Sequence, residues 1–589
     1  MSVSQIDTNL GRSHRVLHPG AAADFGFLAA LVAILAVALS LAGGATGGAF
    51  NGLLIDTDSY TRVSRILASI EAGTILDHVP RDNAGVPIAL HWSHLLDAIL
   101  LLLALPLWPL LGAPDALRLA GAALGPLTAA GAALAAMYAA RVLGAATISA
   151  FTAGVVAALS HSIMNYGALG RADHHVLLGA LGLLAPVLAY ADRTAGFARP
   201  AAWGGVASGL GLWLSPEMLP FALLAWAVAI IRDTEADGRF GRRATQYCAA
   251  LLAVLLLATV IDPPSSGRWA VELDRLSRPF LELAALMTAV TLLARLLPTM
   301  PVGWPTAIGA GCVALLAIVP WVVMYPAMLH GAEGVFSPEG WTRIWRFNNE
   351  MRTPLRAAND IAVSMAVPTA VLGLAAALLL WRRRRPIDVL AVAGACLVAY
   401  LACRYIRLTI YLQLAAAVAA GLVLQHLTGR LAESVRRLTT ISAAFCLALA
   451  PFIGGALFRP TGDLDDGGSA CDARAVAADL APFSGKVVLT WLNDAPTVLF
   501  FSKVTVAAAP YHRAERRIFD VIDIFTATSF ADAPPEALGR TGATAVLVCS
   551  IQSFRPGSLG EALAKGQPPA WLAERPVGTA SRYRLYVVR

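Results

Sequence analysis

The apolar residues of this chain are gathered into about thirteen runs, each roughly 17–25 residues long and separated by short polar breaks. A run of that length suits an α-helix crossing the hydrocarbon core of a bilayer, where every backbone N–H and C=O must be satisfied within the segment. The runs begin near residues 21, 114, 144, 175, 200, 217, 244, 280, 304, 361, 387, 405 and 439. Only 14% of the 589 residues are charged, against about 25% in soluble proteins. The pattern predicts a polytopic α-helical membrane protein with about 13 transmembrane helices. The net charge of +7 gives no reason to expect a nucleic-acid partner. Most Arg residues sit in the short breaks, as expected for loops on the cytoplasmic side.

Arg12 and Arg15 lie in a polar segment of residues 1–20, followed by an apolar stretch from Ala21 to about Gly48. That stretch is too long for the apolar core of a cleaved signal peptide, so a retained anchor with a cytoplasmic amino terminus is expected. Leu95–Leu111 is shorter and carries Pro106 and Pro109. If it does not cross, Arg141, Arg193, Arg199, Arg232, Arg242, Arg243, Arg382–Arg385, Arg430, Arg436 and Arg437 all fall inside. Asp56, Asp173, Glu217 and the tail then fall outside. The expected division is a cytoplasmic tail 1–20, a membrane domain 21–458 and an outer globular domain 459–589. Residues 50–113 form a long first outer loop and 331–360 a second.

Within the outer domain Lys486–Leu492, Lys503–Ala509 and Thr544–Cys549 read as buried strands, while Arg474–Leu480 and Ile518–Thr526 carry helical spacing. A small α/β domain is predicted. Cys248, Cys312, Cys396, Cys403 and Cys446 lie in apolar runs, where cysteine is ordinarily a small buried hydrophobe. Cys471 and Cys549 lie in the tail, where an extracytoplasmic location permits a disulfide; two separate thiols are the alternative.

Charge at a helix end beside a bilayer is costly to keep and by default marks a functional site. Asp56-Thr57-Asp58-Ser59-Tyr60-Thr61-Arg62 closes the first apolar run. Its carboxylate pair suits a hard divalent ion or base chemistry; Asp58 or Ser59 capping a helix over Thr61–Glu71 is the plainer reading. Gly170-Arg171-Ala172-Asp173-His174-His175 places three metal or phosphate partners together, more than a helix cap needs. Glu217 stands in a break between two runs, either as a third ligand or as a cap. Arg404 and Arg407, expected at i and i+3 on one helical face, suit phosphate recognition or snorkelling to headgroups. His91-Trp92-Ser93-His94 reads as an interfacial anchor or part of an acceptor cavity, and Tyr511-His512-Arg513 with Arg516 and Arg517 as a basic surface. A P-loop, a nucleotide-binding glycine fingerprint and a soluble nucleotide-binding domain are all missing from the sequence.

An acidic motif in a long first outer loop, an Arg–Asp motif ending the third span and an outer globular tail together resemble the GT-C superfamily of membrane glycosyltransferases. The layout is most similar to oligosaccharyltransferase catalytic subunits. The resemblance implies transfer of a sugar or glycan from a polyprenyl-phosphate-linked donor to a glycan, lipid or protein acceptor of the cell envelope. The reaction is expected at the periplasmic face of a bacterial inner membrane, among membrane lipids. It implies Asp56, Asp58 and Asp173 as catalytic residues, with a divalent cation (Mg2+ or Mn2+) on Asp58, Asp173 and His174. Arg62, His91, Arg171, Glu217, Arg404 and Arg407 are expected to bind substrate. The tail lacks the WWDYG motif of oligosaccharyltransferases, so the resemblance does not extend to Asn-x-Ser/Thr acceptors. Action on protein, or non-enzymatic transport of a lipid-linked glycan, are the alternative readings.

Overall fold

The structure, a computed structural model, describes residues 19–46, 48–192, 198–344, 348–354, 359–382, 385–429, discontinuous parts of 431–449, 471–578 and 581–589. The membrane half is a helical bundle. Its helices are α1 (Pro19–Thr46), α2 (Thr57–Ala72), α3 (Leu95–Ala104), α4 (Ala113–Val142), α5 (Thr147–Ala158), α6 (His161–Tyr166) and α7 (His175–Tyr190). They continue as α8 (Pro200–Leu214), α9 (Leu219–Asp237), α10 (Arg242–Ile261), α11 (Arg278–Ala294) and α12 (Trp304–Met324). The last are α13 (Asn359–Arg382), α14 (Pro386–Arg404) and α15 (Thr409–Thr428).

Among the described residues six helices are long and apolar enough to cross a membrane, and shorter apolar ones accompany them. Twelve of the expected runs coincide with helices; the run from about residue 439 falls on positions only partly described. The count of spans therefore stays an expectation. The Leu95–Leu111 run is broken into α3, of ten residues, and a short helix at Trp108–Leu111, the break falling next to Pro106. Among the five cysteines of the apolar runs only Cys248 is buried. The other four lie exposed on the outside of the bundle, because the runs bury only one face.

Small residues let the helices approach closely. The buried side of α4 is a stripe of Ala116, Ala120, Ala129, Ala132, Ala133, Ala136 and Ala140. A Cβ on Gly125 would stand 2.2 Å from the Ala168 carbonyl oxygen, and one on Gly121 would stand 3.3 Å from the Ala172 Cβ. The segment 167–173 therefore lies directly against α4.

The tail is an α/β domain with a five-stranded sheet in the order β2-β1-β3-β5-β4. Its strands are β1 (Val487–Thr490), β2 (Thr505–Val506), β3 (Ala545–Cys549), β4 (Leu572–Arg575) and β5 (Tyr583–Val588). β1 runs parallel to β2 and β3, while β5 is antiparallel to β3 and β4. Residues of β3 alternate between two cores, Val546 and Val548 on one face and Ala545, Leu547 and Cys549 on the other. A sheet covered on both faces needs a continuous apolar strand, which is why β1 and β3 were legible in the sequence. β4, at the sheet edge, and β5, between it and β3, both carry charged residues and were not anticipated. Cys471 and Cys549 form a disulfide, in keeping with an oxidising compartment.

The tail docks on the first outer loop. The Arg81 guanidinium donates to the carbonyls of Leu499, Ser502 and Val504 at 2.7–2.9 Å, satisfying backbone acceptors left free at the end of the helix α16 (Ala495–Phe501). Asp82 accepts from Ala509 N at 2.9 Å, and Phe500 and Phe501 pack on Tyr60.

Candidate functional site

Two segments about 115 residues apart are stitched together at the end of the bundle on which the tail domain docks. Pro126 in α4 has no N–H, so the Ala122 carbonyl lacks its helical partner; it accepts from Gly170 N at 3.1 Å. Gly170 adopts φ +97°, a conformation that favours glycine, and its carbonyl accepts from Ile55 N at 3.0 Å. Ser59 Oγ then accepts from Ala172 N at 2.8 Å. These bonds bring the Asp56 and Asp173 motifs side by side.

Asp56 is the N-cap of α2. Its Oδ1 accepts from Ser59 N at 2.7 Å and its Oδ2 pairs with Arg171 Nε at 3.1 Å. Capping thus falls to Asp56, two positions before the nearest residue expected to do it. Both Asp56 oxygens are thus engaged. Asp58 has no hydrogen-bond partner among the described residues. Burial together with Asp173, Asp56 and Glu350 pushes its carboxyl up to about 8.

Asp173 Oδ1 lies 2.8 Å from His174 Nδ1, and Asp173 Oδ2 lies 3.6 Å from His175 Nε2. Burial acts to raise the Asp173 carboxyl, but His175, His174 and Arg171 outweigh it and hold it well below the usual carboxylate range. Glu350 reaches the same cluster, with Oε2 3.6 Å from His175 Nε2 and Oε1 3.9 Å from Arg171 Nη2. Sequence reasoning missed Glu350. Its segment is fixed by Ile406 N donating to the Arg352 carbonyl and Thr353 Oγ1 to the Cys403 carbonyl, pairings that no local pattern announces. Tyr166 also went unnoticed: its ring lies under the Arg171 guanidinium at 4.9 Å and against His175 at 5.1 Å.

Arg62 is buried, with Nη2 3.2 Å from His174 Nδ1 and the guanidinium 4.2 Å over the Trp92 ring. One turn on, Arg65 bonds Asp97 and the carbonyls of Trp92 and Ser93. This scaffold holds α2 against α3 and aims Arg62 at the histidine. His91 stands apart from the cluster, against His512 at 4.6 Å between ring centroids. Glu217 does not join the carboxylates. Ser215 caps its turn, and Glu217 Oε1 pairs with Arg407 Nη2 at 2.6 Å.

Arg404 and Arg407 do not share a helical face. The chain leaves helical geometry at Tyr405 (φ −142°, ψ 131°), so Arg404 ends α14 and pairs with Glu333 at 2.8 Å on the surface, away from the cluster. The tail motif is likewise not a basic surface. Arg513 pairs with Asp274 and Glu272, each at 2.6 Å, His512 meets Asp274 at 2.8 Å, and the Tyr511 hydroxyl bonds Thr61 Oγ1.

Asp173, His174 and His175 offer ligand atoms that all lie within 4.8 Å of one another. Two ligands on a common ion at about 2.1 Å are themselves roughly 3–4 Å apart, so the spacing fits a cation. Four carboxylates, Asp56, Asp58, Asp173 and Glu350, face Arg62, Arg171 and His175 there, an acid-rich cluster of the kind that takes up a divalent ion.

No known family's sequence profile matches the chain, and no curated protein does. Among solved structures it is similar to the archaeal oligosaccharyltransferase AglB of Archaeoglobus fulgidus in complex with an inhibitory peptide and a dolichol-phosphate. That match has a TM-score of 0.62 at 14% identity, over 89% of this chain and 69% of that one. The A. fulgidus oligosaccharyltransferase tethered to an acceptor peptide matches at 0.60 and 13%, over 89% and 69%. Its complex with Zn and sulfate matches at 0.59 and 13%, over 89% and 68%. What is shared at this identity is the fold, and the resemblance to GT-C enzymes read from the sequence holds at that level.

Proposed function

Starting from that shared fold, we propose that the chain is a membrane glycosyltransferase that moves a sugar or glycan from a polyprenyl-phosphate-linked donor to an acceptor at the outer, periplasmic face. The observation that carries this reading is the convergence of Asp56, Asp58, Asp173 and Glu350 with His174, His175, Arg62 and Arg171 in one cluster. The neighbouring oligosaccharyltransferase was solved with a dolichol-phosphate and, separately, with Zn and sulfate, ligands of the chemistry this cluster suits.

Asp58 is the base. It is the carboxylate without a hydrogen-bond partner, and its pKa near 8 lies close to working pH, where a base is most effective. The acceptor O–H gives its proton to Asp58 as its oxygen attacks the anomeric carbon. The bond from that carbon to the phosphate oxygen breaks on the opposite face, inverting the centre, and the electron pair leaves with the phosphate. Arg171, held by Asp56 and Glu350, and Arg407, at the start of α15, receive the phosphate oxygens. Arg62, stacked on Trp92, fixes His174. A divalent cation, Mg2+ or Mn2+, would be held by Asp173, His174, His175 and Glu350, with Asp58 alongside, and would neutralise charge growing on the phosphate.

The test is a deletion strain complemented with wild-type or Asp173→Asn protein at equal membrane levels. Mass spectrometry of envelope glycans and lipid intermediates is expected to show a missing sugar and accumulated lipid-linked donor in the deletion and in Asp173→Asn. Full restoration by Asp173→Asn contradicts the mechanism. A precursor that accumulates while the glycan keeps its sugars favours transport.

A further inference from the structure

Near the cation cluster, between α9 and α15, the bundle holds a second set of polar groups, the Glu217–Arg407 chamber. Glu217 and Phe221 lie one turn apart on the α9 side, and Arg407 and Tyr411 one turn apart on the α15 side. They meet as two rungs, the Glu217–Arg407 ion pair at 2.6 Å and the Phe221–Tyr411 rings stacked at 4.2 Å. Gly182 of α7 makes room for the lower rung, since a Cβ there would stand 2.9 Å from Tyr411 Cε1.

The chamber is incompletely satisfied. Glu217 Oε2, Arg407 Nε and the Tyr411 hydroxyl are buried with no hydrogen-bond partner among the described residues, and Tyr411 is only 4% exposed. An orphaned phenol and a half-bonded ion pair inside a membrane bundle are expensive. Two of the three orphans are donors, Arg407 Nε and the Tyr411 hydroxyl, and Arg407 already has an anion on it. Glu217 and Arg407 keep 15% and 20% of their side chains exposed, so the chamber opens outward.

We infer that Glu217 is a resident counter-ion occupying the place of a phosphate headgroup, and that a lipid phosphate entering the chamber displaces Glu217 from Arg407 and takes the Tyr411 hydroxyl as a further donor. The inference rests on the lipid-phosphate donor proposed above. A phosphate has enough acceptor oxygens to serve Arg407 Nε, Arg407 Nη2 and the Tyr411 O–H together, which the single carboxylate does not do. Displaced, Glu217 carries an acceptor pair toward the hydroxyls of the sugar attached to that phosphate. The free protein thus keeps the Arg407 charge paired with Glu217 until its ligand arrives, at the expense of ligand affinity.

The test is binding of a polyprenyl phosphate, the matching polyprenol and inorganic phosphate to the full chain in nanodiscs, with EDTA present so that the cation cluster does not contribute. Glu217→Gln keeps the shape and removes the competing charge; polyprenyl phosphate is expected to bind about tenfold more tightly, polyprenol no differently. Tyr411→Phe removes a hydroxyl that bonds nothing in the free protein. Its thermal stability is therefore expected to match wild type, while affinity for polyprenyl phosphate falls about tenfold. If wild type binds polyprenyl phosphate and Glu217→Gln binds it no better, the displacement is wrong while the donor assignment stands. If neither protein binds it, both fall. Tightening toward inorganic phosphate alone assigns the chamber to a free anion and overturns the headgroup reading.

Discussion

Asp56 and Asp58 are two residues apart and do different work. Asp56 spends one oxygen on the α2 N-terminus and the other on Arg171, so Asp56→Ala removes a cap, costing about 1 kcal/mol, and frees Arg171 as well. Asp58 makes no such bonds. Asp58→Asn is expected to reduce sugar transfer by about 10²–10⁴-fold with no loss of melting temperature, since a carboxyl raised by burial costs rather than adds stability at neutral pH, whereas Asp56→Ala lowers both. Equal melting losses in the two variants would contradict the division. Asp82 offers a second residue-scale test. Burial pushes its carboxyl up to about 6 despite two backbone N–H donors. A folded-state pKa above the unfolded value means a contribution to stability fully present below about 3.8 and lost as pH rises through about 6. Asp82→Asn keeps an acceptor for Ala509 N without the charge. It should therefore melt higher than wild type at pH 8, by roughly 2–3 kcal/mol of stability, with the gap closing by pH 4; a variant less stable at pH 8 contradicts this. At this scale the two acidic motifs were legible because each is compact and sits at the end of an apolar run. Glu350 was not, because its place depends on a main-chain bond between Arg352 and Ile406. Arg404 was misplaced because the break at Tyr405 leaves no mark in an apolar run.

Among the elements, α4 and the segment 167–173 decide whether the cluster forms. Pro126→Ala returns an N–H to the helix, where it competes with Gly170 N for the Ala122 carbonyl. The bundle should fold, but divalent-cation affinity is expected to fall about tenfold, in the range seen when outer-shell partners of metal ligands are lost. Isothermal titration with Mn2+ checks it, and unchanged affinity would show that the proline does not place Asp173. The tail is positioned by charge as well as by packing. Arg513→Ala leaves Asp274 and Glu272 unpaired in a half-buried seam, at a cost of about 3 kcal/mol. Easier proteolytic release of the tail is the expected sign, and undiminished protease resistance the contrary one. The parallel strands of the tail could be read because both their faces are covered. β4 and β5 escaped because Glu574, Arg575 and Arg584 interrupt them, and because their pairing is set by β3 rather than by their own composition.

Taken whole, the molecule pairs a bundle whose helices follow directly from hydropathy with an outer domain whose docking does not. The first outer loop is the joint: Arg81 and Asp82 hold the tail, Arg62 and Arg65 hold the bundle, and Asp56 and Asp58 face the cluster between them. The tail and the proposed site are therefore joined through one segment. The account stands on a cation site assembled from the first outer loop, the entrance to α7 and the second outer loop. Electron paramagnetic resonance of Mn2+ added to the purified full chain tests that assembly most directly. Wild type is predicted to bind one Mn2+ per chain, with binding lost in Asp173→Asn and strongly weakened in Glu350→Gln; Mn2+ bound equally by all three proteins would contradict it.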